Sequence, residues 1–98
     1  MKLLEMQSAI ASNDINLSNK YEALLDDAEW CEVLMYAAKL NRSMIVSNLL
    51  FNKETLPNVD VVKQAMQIAE GHKNEAMTNA LRIALGRKSP ALTPSSQS

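Results

Sequence analysis

The side chains with chemistry to offer are few and scattered. His72 is the only histidine, with Glu70 and Glu75 beside it, and these are types that ligate metals or move protons in catalysis. A metal needs three or four converging ligands and a catalytic imidazole needs an oriented partner, so a turn residue capping a helix is the favoured reading of His72. Cys31 has no second thiol and only a distant histidine, and reads as a small half-buried residue rather than a nucleophile. Asp26, Asp27, Glu29 and Glu32 form an acidic run around Trp30. An aromatic ring among acids could anchor a basic ligand. Equally, Trp30 could pack beneath the connection while the acids favour the N-terminus of the next helix through its dipole. Ser89-Pro90 and Thr93-Pro94 have the form of proline-directed phosphorylation sites, in a polar stretch of the kind that ends many domains. No catalytic residue, cofactor or metal is expected, and the chain does not read as an enzyme.

The 98 residues are enough for one small domain with one core, and too few for a cleft between domains. Ten Lys and Arg against eleven Asp and Glu give a formal charge of −1. That balance argues against nucleic acid or an anionic membrane as partner, because such binding draws on clustered cations that release counterions. A lone cysteine excludes an internal disulfide and fits a reducing compartment. Glu5 interrupts the first apolar residues where a signal peptide would be continuous, and no window is apolar enough to span a bilayer, so a soluble, cytoplasmic protein is expected.

The elements that must carry these side chains are helical throughout. Apolar residues recur at helical spacing in six segments: Leu3, Met6 and Ile10; Leu17, Tyr21, Leu24 and Ala28; Trp30, Val33, Leu34, Ala37 and Ala38; Ile45, Val46, Leu49 and Leu50; Val62, Ala65, Met66 and Ala69; Met77, Ala80, Leu81 and Ala84. Ser12-Asn13-Asp14 supplies a left-handed turn and a cap, Asn41-Arg42-Ser43 and Gly71-His72-Lys73-Asn74 are further turns, and Pro57 breaks the helical pattern between the fourth and fifth segments. Gly86, followed by Arg87 and Lys88, is the expected cap of the last helix. The fold class is all-α, with a domain over residues 1–86 and a floppy polar tail over 87–98, whose apolar content is too small to offset the entropy of ordering it.

Six helices joined alternately by tight and longer connections are three helical hairpins, and the hairpins repeat. Asn13 overlays Asn41 at a shift of 28, and Met35 overlays Met66 at a shift of 31. The middle unit, Leu34-Met35-Tyr36-Ala37-Ala38-Lys39-Leu40-Asn41-Arg42-Ser43-Met44-Ile45-Val46-Ser47-Asn48-Leu49-Leu50, resembles the ankyrin-repeat pattern L-H-x-A-A-x-x-G-H-x-x-I-V-x-x-L-L, with Asn41 in place of the turn glycine. Paired alanines let the helices approach, Asn41 permits the turn, and the Ile-Val and Leu-Leu pairs seal each hairpin onto its neighbour. The resemblance spans roughly residues 3–85. The T-P start, the following histidine and the G-A-D finger signature are all missing, so the fingers are expected to be shortened or lost.

The resemblance implies three hairpins stacked with a common hand, presenting a concave face of first helices and connections to a protein partner. The positions it singles out are Glu29, Trp30, Tyr36, Lys39, Asp60 and Glu70. It also suits an adaptor, an inhibitor or an effector delivered into a host cell. Two other functions fit helical hairpins. One is a small obligate subunit that homodimerises or caps a larger assembly. The other is a helix-turn-helix DNA-binding regulator, which fares worse because the candidate recognition helix from Ser43 to Phe51 carries no Lys or Arg.

Overall fold

The computed structural model describes residues 2–89. Six α-helices occupy them in chain order: α1 (Lys2–Ala11), α2 (Ile15–Glu22), α3 (Asp27–Lys39), α4 (Ser43–Phe51), α5 (Val59–Gly71) and α6 (Glu75–Lys88). No strand occurs among the described residues.

Four of the helices, α2, α3, α5 and α6, start where a short polar side chain accepts from the first free N–H groups. Asp14 accepts from the Leu17 N–H at 3.1 Å, Asn58 from Val61 at 3.2 Å and Asn74 from Met77 at 3.0 Å. Asp26 and Glu29 form a reciprocal pair: Asp26 accepts from the Glu29 N–H at 2.8 Å, and Glu29 accepts from the Asp26 N–H at 2.9 Å. Arg42, ahead of α4, makes no such cap.

The tight turns share one geometry. Asn13, Asn41 and Lys73 have φ of 57°, 62° and 59°, the left-handed conformation that ends a helix. In each case the next N–H reaches back five residues: Asp14 to the Ala9 carbonyl at 2.8 Å, Arg42 to Ala37 at 2.9 Å and Asn74 to Ala69 at 3.1 Å. The expected turn at Asn13 with Asp14 as cap, and the left-handed Asn41, are as the sequence implied. In the third turn the left-handed residue is Lys73, and Gly71 is still helical.

Three expectations need correction. The spacing between the second and third units is 32 residues, by the turns (73 − 41) and by the caps (58 − 26), rather than 31. At 32, Trp30 corresponds to Val62, Val33 to Ala65, Ala37 to Ala69 and Leu49 to Leu81, all buried. The Leu17–Ala28 stripe is not one helix face, because α2 ends at Glu22, Leu24 is 57% exposed and Ala28 belongs to α3. Gly86 caps nothing: α6 continues through Lys88, so a boundary at residue 86 falls inside a helix, and Arg87 and Lys88 belong to the folded unit. The rest of the expected tail, with Pro90 and Thr93-Pro94, lies outside the described residues.

The hairpins α1/α2, α3/α4 and α5/α6 lie side by side in two layers, with α3 packed between α1 and α5 and α4 between α2 and α6. Apolar side chains from between the layers form one core that runs from Met6 and Ile10 through Trp30, Leu34, Val46 and Leu49 to Met77 and Leu81. Leu56, from the connection between α4 and α5, is buried in the same core, and its N–H donates to the Lys88 carbonyl at 2.8 Å.

Helix C-termini are bound by side chains from elsewhere in the stack. A helix leaves its last carbonyls without internal partners. Arg42 donates from Nε to the Ile10 carbonyl at 2.9 Å and from an Nη to Ala11 at 2.7 Å, closing the end of α1 from the second hairpin. His72 Nε2 sits 3.1 Å from the Lys39 carbonyl, closing α3 from the third. Lys88 donates to the Leu50 and Phe51 carbonyls at 2.8 and 3.1 Å, closing α4.

Candidate functional site

Of the six positions singled out in the sequence, the structure leaves four available at the surface. Tyr36 and Lys39 lie on the outward side of α3, half-buried and exposed respectively, while Asp60 in the first turn of α5 and Glu70 near its end are exposed. All four belong to the α1–α3–α5 layer. Glu70 also borders an open depression of about 530 Å³ between the ends of α5 and α6, with Lys73, Glu75, Thr78, Asn79 and Arg82.

The other two are engaged inside the fold. Trp30 is 1% exposed, and its indole N–H donates to the Leu49 carbonyl at 3.2 Å. This corrects the expectation of an accessible aromatic: Trp30 is the largest fully buried side chain, and its N–H serves a carbonyl near the end of α4. Glu29 is half-buried, holds the reciprocal cap of α3, and lies 3.5 Å from the Lys2 ammonium. Asp26 caps α3 and Asp27 pairs with Lys53 at 3.2 Å, so the acidic run organises a helix start.

His72 makes its bond to a backbone carbonyl, which fixes Nε2 as the protonated nitrogen and leaves neither Glu70 nor Glu75 as its partner. Among the described residues, no three His, Cys, Asp or Glu side chains converge as metal ligands would. Burial, with Asp27 adding to it and Lys53 opposing, pushes the Cys31 thiol up from its ordinary value. That disfavours the thiolate a nucleophile needs.

No family model, curated protein or solved structure matches this chain.

The surface of the other layer escaped the sequence reading. Phe51 is 81% exposed, Met44 59% and Ile83 50%, all on the outward side of α4 and α6. The signal was present in α4 itself: six of the nine residues in Ser43–Phe51 are large and apolar, whereas one buried stripe takes only Ile45, Val46, Leu49 and Leu50. Met44 and Phe51 are the surplus, and a helix apolar on both sides must cover both or leave one bare.

Proposed function

We propose that this chain is a non-enzymatic protein-binding module, a degenerate ankyrin-like array that presents outward side chains of α3 and α5 to a protein partner. One observation carries the reading: three hairpins with the same turn geometry stack side by side in two layers around a continuous core. Such a stack loses little entropy when it docks, so a modest set of exposed contacts supplies useful affinity. Tyr36, Lys39, Asp60 and Glu70 are the contacts assigned to it. Glu29 and Trp30 are set aside, since changing either would damage a cap or the core.

Affinity capture from the cells that make the protein, with matched variants, tests this. Lys39→Glu with Glu70→Lys reverses two exposed charges and should leave stability within about 0.5 kcal/mol. The partner retained by the wild type, and by the control Asn16→Lys on α2, should fall by about tenfold or more with the double variant. Undiminished capture by a folded double variant, checked by circular dichroism, refutes the assignment of this face.

A further inference from the structure

A shallow groove of about 200 Å³ runs between the C-terminal parts of α4 and α6 on the layer opposite the α3/α5 face. Small side chains, Ser47, Ala80 and Ala84, line its floor, and Phe51 and Ile83 form its walls. Both walls are turned to solvent, so two large apolar groups go without full burial in the isolated chain. Met44 continues the apolar strip one turn pair further along α4, seven residues before Phe51 and on the same side of the helix.

The charged side chains that line the groove are both cationic. Arg87 and Lys88 line its end, and among the described residues no carboxylate lines it. Lys88 is occupied: its ammonium closes the Leu50 and Phe51 carbonyls and lies 5.7 Å from the Phe51 ring centroid. By doing so it offsets the negative end of α4 and holds the Phe51 wall in place. Arg87 is exposed and makes no ion pair among the described residues.

We propose that this groove is a docking site for an acidic, amphipathic helical segment of a partner protein. Its apolar residues would seat on Ser47 and Ala80 between Phe51 and Ile83, and a carboxylate would pair with Arg87. The strip from Met44 to Phe51 spans about 10 Å along α4, which matches two turns of an occupying helix with anchors at i, i+3 or i+4 and i+7. A basic or neutral occupant would leave Arg87 unpaired at the rim, and the bidentate geometry of a guanidinium favours a carboxylate. This site goes beyond the α3/α5 face and stands or falls apart from it.

The probe is a fluorescein-labelled amphipathic peptide of about 14 residues with Leu at the anchor positions and Glu elsewhere, set against the same peptide with Lys for Glu. Titrated into the full chain, the Glu peptide should shift amide resonances of Ser47, Phe51, Ala80 and Ile83 and bind about tenfold or more tightly than the Lys peptide. Arg87→Glu should reverse that preference, and Phe51→Ala should weaken both peptides about tenfold, since an exposed ring contributes to docking more than to folding. Lys39→Glu with Glu70→Lys should leave the Glu peptide bound, which separates this site from the α3/α5 face. Three results would overturn the proposal: equal or tighter binding of the Lys peptide, resonance shifts elsewhere than α4 and α6, or no shift with the Glu peptide at about 1 mM. A concentration-dependent dimer in sedimentation equilibrium that Ile83→Glu abolishes would also overturn it, by assigning the groove to a second copy of the chain.

Discussion

Glu22 carries an electrostatic cost that its neighbours only partly relieve. Burial pushes its carboxyl above the usual range, while the Asn52 amide, donating at 3.1 Å, and the Lys53 charge pull it back. The folded chain therefore holds this proton more tightly than the unfolded chain does. The favourable contribution is complete below the unfolded carboxyl's range and is lost as pH rises through the folded one. Glu22→Gln keeps an acceptor for Asn52 and removes the ionisable group. Thermal melts should show the variant more stable than wild type at pH 7, with the difference vanishing at about pH 4 and below. A variant less stable at pH 7 would mean that the Lys53 attraction outweighs desolvation. The same balance separates Trp30 from the acids around it. The ring entered the core because its N–H found the Leu49 carbonyl, whereas Asp26 and Glu29 stayed at the surface because backbone N–H groups at the start of α3 met them there.

Helix ends are where sequence and structure part company. Five of the six apolar stripes, the turns at Asn13 and Asn41 and the break before α5 were legible, since each follows from spacing or from backbone preferences of single residues, whereas the stripe from Leu17 to Ala28 ran across the end of α2. Gly86 was misread because a glycine before two basic residues matches a helix end locally, while distant contacts extend α6: the Leu56 N–H of the α4–α5 connection donates to the Lys88 carbonyl, and the Lys88 ammonium donates to the Leu50 and Phe51 carbonyls of α4. In α6 Gly86 has negative φ, and a Cβ there would meet nothing within 4 Å. Gly86→Ala should accordingly raise stability by about 0.5–1 kcal/mol in urea titration, the usual gain inside a helix. A loss would restore the capping role. The repeat register slipped by one for a related reason: Met35 and Met66 look alike, but the turn at Lys73 has no residue type that advertises a left-handed backbone. Of the candidate surface, Lys39, Asp60 and Glu70 were legible as exposed positions. The α4/α6 groove was not, because its walls have the residue types of a core.

At the scale of the whole chain, the three hairpins are tied by a handful of polar contacts as well as by the core. Arg42 ties the first to the second through backbone carbonyls, beside the side-chain contacts Asn52–Glu22, Asn48–Asn19 and Lys2–Glu29. Arg42→Met keeps the apolar stem and removes two charge-assisted bonds to α1 carbonyls, at an expected cost of about 1.5–3 kcal/mol. Native-state hydrogen exchange should show the loss concentrated in α1 and α2, whose amides should exchange at least tenfold faster while those of α5 and α6 change little. Uniform acceleration everywhere would show that the stack opens only as one cooperative unit.

These ties have a direction. The end of α1 is closed by a residue 31 positions later than Ala11, and the end of α3 by one 33 positions later than Lys39. At about 5–20 residues per second, α1 leaves the ribosome about 2–6 s before Arg42 follows to bind it. Through that interval its last carbonyls are hydrated and Met6 and Ile10 have no α3 to cover them. The end of α6 escapes the wait, since the Leu56 N–H that binds its Lys88 carbonyl has already been made. The first hairpin thus spends an interval with its share of the core uncovered, and slower elongation while Arg42 follows α1 out would lengthen it.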